Sequence, residues 1–387
     1  MQVNNVIVKR EEFLEDAQVI KRVLDHIENQ TTDIGAESWR EPTKHYTDTG
    51  RLELELDLLR SNFSIFCPSA TIPDSGSYVA RKFAEIPLLV VRGKDGKARA
   101  FKNACRHRGV QVASGSGSAN SFVCPYHAWT YGLDGSLRGV PHSHGFPDLD
   151  KCSRGLVEVS CKEVNGLIFV NIEGDSNQAE LASQALLSDV PNLLTEDYSM
   201  YSHGETEVPA NWKVVLESFL EGYHIRSTHK DTFFPVQYDN LNVVEHCGKH
   251  SRITFPYRPI EALKGRPEAQ WCIDGRLTYV YHLFPNVLMT THPGFNVLVV
   301  LEPLTVKTTL QHTFVLTDIA EDNDAERREL DSVIGLVNAA VAEDRAMVVS
   351  AQKGLETNAN EFFEFGLFES AIRHFHSNLD SALEKYK

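Results

Sequence analysis

The sequence predicts an α+β protein in which a small all-β unit is followed by a curved antiparallel sheet wrapped on a long helix. Three observations carry this reading. Residues 61–172 break into short β-rich runs separated by turns. Residues 240–317 alternate in strand fashion. From about Asn323 to Leu355, apolar side chains recur in helical rhythm. The expected division is 1–45 as an N-terminal helical segment packing with the last domain, 46–175 as the β-unit, and 176–387 as the sheet-and-helix domain.

Residues 1–30 read as helical, with Ile20, Val23, Leu24 and Ile27 on one side. Residues 31–60 read as polar and irregular, punctuated by Gly35, Pro42 and Gly50. In the β-unit, Tyr78–Phe83 and Leu88–Val91 are β-rich, Lys94–Lys97 is a turn, and Ala98–Lys102 leads into the first cysteine. Asp134-Gly135 marks a hairpin turn between Ala128–Leu133 and Ser136–Val140, and Leu167–Asn171 closes the unit. A helix is expected over Gln178–Leu194. Strands follow at Arg252–Phe255, Leu277–Phe284, Val287–Thr291, Val297–Leu301 and Thr308–Leu316, then the long helix and a last one over Glu361–Leu383. A curved sheet on a helix encloses a pocket. Tyr279, Tyr281, Phe284, Met289, His292 and Phe295 are the candidates for its lining.

The chain has 387 residues, 42% hydrophobic and 24% charged, with a formal net charge of −15. That acidity argues against nucleic acid, which demands a basic footprint, and against an anionic membrane surface. The first residues lack the apolar core of a secretory signal, and no run of 18 apolar residues predicts a membrane span. Seven cysteines without paired spacing outside one motif fit a reducing cytoplasm.

That motif is Cys105-Arg106-His107, then Cys124-Pro125-Tyr126-His127, with 16 residues between the pairs. Two thiolates and two imidazoles from two loops suit a [2Fe–2S] cluster with sulfur ligands on one iron and histidines on the other. Two neutral ligands in place of two thiolates raise the potential, so the cluster accepts electrons readily. Structural zinc also takes two cysteines and two histidines, although zinc modules usually pair like with like. Lys102, Arg106, Arg108 and Arg138 crowd these loops and suit an acidic electron donor or, equally, scattered surface charge.

The second constellation lies in Glu217–His229. His224 and His229 with a carboxylate would make a 2-His-1-carboxylate iron site, which leaves coordination positions open. Glu221 and His224, three apart, are expected to share a helix face. His224 and His229, five apart, diverge on a straight helix, so the helix must end or unwind between them. Leu330, Ile334, Val337, Val341 and Val348 form an inward stripe on the long helix, and Asp344 falls on it. A carboxylate on a core-facing stripe is costly unless paired or metal-bound. Asp344 is therefore the candidate third ligand and Glu343 the fallback; a buried ion pair is the other reading of Asp344.

Together these motifs resemble those of Rieske non-haem iron oxygenase alpha subunits. Cys105-Arg-His107 with Cys124-Pro-Tyr-His127 is similar to the cluster motif, Asn211-Trp212-Lys213 and Glu217–His229 to the mononuclear-iron motif, and Glu343-Asp344 with Gln352 and Gly354 to the C-terminal carboxylate segment. The resemblance implies an N-terminal Rieske domain and a C-terminal helix-grip (START-like) catalytic domain. It also implies a homotrimer, or an α3β3 assembly with a small subunit, in which one subunit's cluster faces the next subunit's iron. Glu221 matches the bridging carboxylate, where many members carry Asp and members acting on quaternary amines can carry Glu. Ser218 departs from the Asn often found there.

The implied function is a cytoplasmic terminal oxygenase using O2 and electrons from NAD(P)H, delivered by a reductase and in some systems a ferredoxin. Cys105, His107, Cys124 and His127 would hold the cluster, and His224, His229 and Asp344 an iron(II). The expected substrate is an aromatic compound. The alternative is a quaternary ammonium compound of carnitine, choline or betaine type, which an aromatic lining also suits. A non-enzymatic alternative is a Rieske electron carrier with a ligand-binding domain.

Overall fold

A computed structural model describes residues 9–10, 12–174, 190–195, 197–320 and 322–386. The chain forms two compact units, one of residues up to Glu55 together with those from Ser199 onward, the other Leu56–Tyr198.

The smaller unit is all-β apart from the end of the Thr49–Ser61 helix and short 3-10 turns. A seven-stranded antiparallel sheet runs, in spatial order, Ser64–Pro68, Leu167–Asn171, Glu158–Val164, Ala98–Lys102, Ile86–Arg92, Ser77–Phe83 and Gly115–Ser118. Phe122–Val123, Thr130–Tyr131 and Leu137–Gly139 form a second, three-stranded sheet. One apolar core, with Leu89, Phe101, Phe122, Trp129 and Tyr131 at its centre, includes Cys105 and Cys124. The Asp134-Gly135 turn joins the two expected hairpin strands, and Gly135 there has φ +76°.

The larger unit is built on an eight-stranded sheet. Its spatial order is Lys9–Arg10, Val243–Cys247, His250–Pro256, Leu277–Leu283, Val287–His292, Phe295–Thr305, Thr308–Thr317 and Ser199–Val208. All pairings are antiparallel except that of Lys9–Arg10. Asp324–Glu356 forms a helix of 33 residues, roughly 50 Å long at about 1.5 Å per residue. Asn323 caps it, its side chain accepting from the Glu326 amide. The expected stripe faces inward: Leu330 and Val348 are buried, and Ile334, Val337, Val341 and Asp344 are half-buried.

Four expectations need correction. Residues 31–38 are irregular as expected, but 39–60 are not: Trp39–Pro42 is a strand, and Lys44–Thr47 and Thr49–Ser61 are helices. Burial of Leu52, Leu56, Leu58 and Leu59 drives the last of these. The final helix starts at Ser370, because Phe362–Phe365 pairs as a strand with Trp39–Pro42. Aromatic residues favour that pleated surface; Trp39 stacks on Phe365 at 5.3 Å, and the Arg40 guanidinium lies 4.3 Å from the Phe362 ring centroid. At the N-terminus the helix is Asp16–Asn29, shorter than the expected 1–30. Most of the expected helix at Gln178–Leu194 lies outside the described residues, and 190–194 is not helical.

Candidate metal centres

The two cysteine-histidine loops are built alike. In each, the cysteine amide and carbonyl close the turn: Cys105 N–H donates to Val110 O (2.8 Å) and Gly109 N–H to Cys105 O (2.8 Å), while Cys124 N–H donates to Trp129 O (2.8 Å) and Ala128 N–H to Cys124 O (2.9 Å). Gly109 and Ala128 hold the left-handed corners, with φ +80° and +55°. Sequence reasoning missed two supports. Asn103, buried, accepts from the Val112 amide (2.9 Å) and donates to Ala113 O (2.8 Å), fixing the first loop. The Tyr131 hydroxyl accepts from the Arg106 amide (2.9 Å) and lies 3.2 Å from Cys105 Sγ, to which it can donate. Burial and the Cys105 contact both push the Tyr131 phenol up, so it stays a donor. Hydrogen bonds to a ligating sulfur tune cluster potential.

Both cysteines are buried, whereas His107 and His127 are half-exposed with ring centroids 4.6 Å apart. His107 stacks on Trp129 at 4.9 Å. The Nδ1 atoms of both imidazoles are buried and lack a hydrogen-bond partner, a costly state for a polar atom unless it binds a metal. Burial, then His127 and Arg108, holds the His107 imidazole below its usual pKa, favouring the neutral, ligand-competent form. Among the described residues, three groups bring at least three ligand atoms within 4.8 Å of one another, and these four residues are not one of them. Two buried thiols and two imidazoles with inward Nδ1 atoms are the donor set of a [2Fe–2S] cluster with the sulfurs on one iron and the histidines on the other. One charge of the basic patch is neutralised, Arg138 pairing with Asp134 at 2.6 Å, whereas Arg108 keeps its charge and donates to Tyr126 Oη at 3.2 Å.

The second centre is built on the segment after Trp212–Glu217. Asn211 caps this short helix, its Oδ1 accepting from the Lys213 amide at 3.0 Å. The helix is pinned from below by Glu55, whose carboxylate accepts from Lys213 Nζ (2.7 and 2.9 Å) and Trp212 Nε1 (2.8 Å). Past it the chain turns close against the sheet: a Cβ on Gly222 would lie 2.3 Å from Asn242 Oδ1. His224 and His229 flank a single turn of helix, Ile225–Thr228, which is how two histidines five apart come to face one point.

Glu221 does not share a helix face with His224, since it precedes the helical turn. Its carboxylate instead caps that turn, accepting from the Tyr223 and His224 amides and bonding His224 Nδ1. Asp344 Oδ1 lies 3.0 Å from His229 Nε2 and 3.5 Å from His224 Nε2. The ligand atoms of His224, His229 and Asp344 are all within 4.8 Å of one another. Glu343, the fallback ligand, points elsewhere and bonds His229 Nδ1 at 2.9 Å and Thr232 Oγ1 at 2.6 Å. Each imidazole thus turns Nε2 to the shared point and Nδ1 to a carboxylate, the arrangement that orients metal-binding histidines. Burial opposes charge on both rings, but hydrogen bonds and charges of Glu221 and Asp344 hold His224 above its usual pKa, and those of Asp344 and Glu343 do so for His229. A cation at that point would replace those protons. Two histidines and a carboxylate with open positions are the donor set of non-haem iron(II).

These three residues open onto a solvent-open cleft, about 570 Å³ of empty space with the open solvent at its mouth included, lined by Phe219, Phe233, Gln237, Phe255, Tyr257, Thr278, Val280, Thr290 and His292, among others. Of the six expected lining residues, only His292 is there. Tyr279 and Tyr281 project from the other side of the sheet, Tyr279 to Asp16 (2.7 Å) and Tyr281 to Arg252 (3.3 Å). Met289 pairs with Tyr281 and faces with it, while Thr290 faces the cleft. Phe284 and Phe295 are also absent from the lining.

Burial lowers the His292 imidazole from 6.5 to about 4, and its Nε2 shares a 3.1 Å hydrogen bond with Thr290 Oγ1. A depressed folded-state pKa means the unfolded chain takes up the proton first. Stability from this group is present above about pH 6.5 and is lost as pH falls towards 4. His292→Gln is therefore expected to flatten the acid limb of a melting-temperature profile between those values, read by calorimetry; an unchanged slope would contradict this.

Known proteins carry the same two parts. A family model described as Rieske [2Fe-2S] domain matches residues 62–152, and one described as ring hydroxylating alpha subunit (catalytic domain) matches residues 194–385. The oxygenase subunit of carnitine monooxygenase from Escherichia coli (strain K12) is 28% identical over 358 residues, 89% of this chain and 93% of its own length. The large subunit of anthranilate 1,2-dioxygenase from Acinetobacter baylyi is 31% identical over 270 residues, 65% of this chain and 55% of its own. A crystal structure of the quaternary ammonium Rieske monooxygenase CntA with L-carnitine superposes with TM-score 0.72 at 22% identity, covering 96% of this chain and 99% of that one. The chain belongs to the Rieske non-haem iron oxygenase alpha subunits, as an oxygenase with a cluster domain and a catalytic domain.

Proposed function

We propose that this chain hydroxylates a quaternary ammonium compound as the oxygenase component of a monooxygenase. Cys105, His107, Cys124 and His127 hold the [2Fe–2S] cluster, and His224, His229 and Asp344 hold the iron(II). The observation that carries the substrate class is the cleft's lining. Among the described residues it has the aromatic rings of Phe219, Phe233, Phe255 and Tyr257 and no lysine or arginine, while its two carboxylates are engaged, Asp344 with the iron and Glu221 with His224. A fixed cation gains from aromatic faces, whereas an aromatic acid finds no basic side chain. Arg345 lines an adjoining crevice with Val208, Gln311 and Val348. Carnitine monooxygenase also matches 89% of this chain, against 65% for the anthranilate dioxygenase. The second reading, an aromatic substrate, rests on the latter's 31% identity.

Bound iron supplies dioxygen activation. The chain's part is to keep both Nε2 donors and Asp344 Oδ1 aimed at one point, with Glu221 and Glu343 fixing the rings. Phe219, Phe233 and Phe255 exclude water beside it. Oxygen uptake by the iron-loaded protein with a reductase, screened over choline, L-carnitine, gamma-butyrobetaine, benzoate, anthranilate and naphthalene, tests the reading. Uptake coupled to product is expected with a quaternary amine; coupling to an aromatic compound alone would overturn it.

Electrons come from NAD(P)H through a separate reductase, and the working unit is a homotrimer in which Glu221 links one subunit's cluster to the next subunit's iron. Supporting this, Glu221 bonds His224 Nδ1, so a proton or hydrogen-bond change at its carboxylate is felt at a ligand. Glu221→Gln is expected to keep both metals and slow reoxidation of the reduced cluster by roughly 10–100-fold in stopped-flow, the range for groups behind a metal ligand. Unchanged reoxidation would contradict the bridge. Among the described residues no helix is long and apolar enough to cross a membrane.

A further inference from the structure

A second cluster of two histidines and a carboxylate, sharing no residue with His224, His229 and Asp344, lies at the edge of the large sheet. Ser199–Val208 is the edge strand and pairs antiparallel with Thr308–Thr317, placing Glu205 directly opposite His312 and His203 opposite Phe314. Side chains two apart share a face, so His203, Glu205 and His312 project together. One ligand atom from each lies within 4.8 Å of the others. His312 Nδ1 is 3.3 Å from Glu205 Oε1. On its far side, His312 Nε2 is 3.5 Å from Oε1 of Glu302, a carboxylate buried on the neighbouring strand. His203 stacks on Phe314 at 4.4 Å, which holds its ring upright beside His312.

We infer that His203, Glu205 and His312 bind a zinc-class divalent cation, with Glu302 orienting His312 from behind. Two imidazoles and one carboxylate are a borderline donor set, suited to zinc and open at a fourth position for water. Zinc bonds of about 2.0–2.1 Å put donors roughly 3.3–3.5 Å apart. His203 and Glu205 are exposed and their ligand atoms already lie within 4.8 Å of that of His312, so a modest adjustment of the Glu205 side chain and the His203 ring closes the distance, while buried His312 supplies the fixed donor. Glu302 stands behind His312 at 3.5 Å, an ion-pair distance, where Glu343 hydrogen-bonds His229 at 2.9 Å; a shortening of the first contact on metal binding would complete the carboxylate–histidine–metal pattern that sets tautomer and ring angle. The bound ion cross-links the edge strand to its neighbour, where a sheet is otherwise most open to fraying.

The test titrates Zn2+ alone into the iron-loaded protein, followed by gel filtration and counting of zinc and iron per chain. One zinc per chain without loss of iron, accompanied by a rise in melting temperature, is expected. His203→Ala and Glu205→Gln should each weaken that binding at least about tenfold, and Glu302→Gln by roughly 10–100-fold, with iron content and turnover unchanged. Both exposed positions tolerate substitution in the fold. No zinc retained by the wild-type protein would overturn the inference, as a purely ionic Glu205–His312–Glu302 cluster predicts. Zinc uptake that releases iron and is indifferent to His203→Ala would overturn it too, since the ion would then sit at His224, His229 and Asp344.

Discussion

Asp344→Ala is expected to abolish turnover, removing the mononuclear iron while leaving the visible spectrum of the cluster intact. Asp344 is the sole carboxylate whose oxygen lies between the two Nε2 atoms, at 3.0 and 3.5 Å, among the described residues. Its loss leaves two neutral nitrogen donors, too few to hold iron(II) in a facial site. Glu343→Ala separates the two adjacent carboxylates. Its carboxylate grips His229 Nδ1 and Thr232, so its removal loosens a ring and keeps the ligand count. A partial loss of iron affinity, roughly 10–100-fold, is expected there. Full activity in Asp344→Ala, with loss in Glu343→Ala, would reverse the assignment of the two.

The largest stability effect is expected at Lys213. Its ammonium is fully buried against Glu55, and Arg51 reaches the same carboxylate at 3.2 Å. Burial lowers the pKa of Lys213, and the charge and hydrogen bonds of Glu55 work against that. Breaking a buried pair by removing one partner costs about 3–5 kcal/mol, because the other charge stays in the core. Lys213→Ala should fall at the low end of that range in denaturant unfolding, since Arg51 and Trp212 still contact Glu55. The double variant Lys213→Met/Glu55→Gln should lose less than Lys213→Ala alone. Equal or larger loss in the double variant would show that packing, not the stranded carboxylate, sets the cost.

What could be read from the sequence follows from what is local. Both cysteine-histidine loops carry their ligands within a few residues, so the donor set is visible before any fold is known. Asp344 stands out because a charged residue interrupts an apolar stripe of period 3.6, and the stripe is where the helix faces inward. The cleft lining was not legible. Every residue of Leu277–Leu283 is buried, on both faces of the sheet, so alternation of polar and apolar gives no sign of which face meets the iron. The expected lining chose Tyr279 and Tyr281, one residue out of phase with Thr278 and Val280, and a slip of one reverses every side chain. The helix at Thr49–Ser61 was hidden for another reason. Its acidic Glu55 is buried by partners 157 and 158 residues away, Trp212 and Lys213, which nothing in the local pattern announces. Phe362–Phe365 likewise takes its strand form from Trp39–Pro42, more than 300 residues earlier.

The central claim is that each chain holds two distinct iron sites, one binuclear with sulfide and one mononuclear without. Counting iron, acid-labile sulfide and zinc in anaerobically reconstituted protein tests it most directly, before any zinc is added. Three irons and two sulfides per chain are predicted, falling to two and two in Asp344→Ala. Two irons and two sulfides in the wild-type protein would reduce it to an electron carrier, and zinc in place of sulfide-bridged iron would contradict the account altogether.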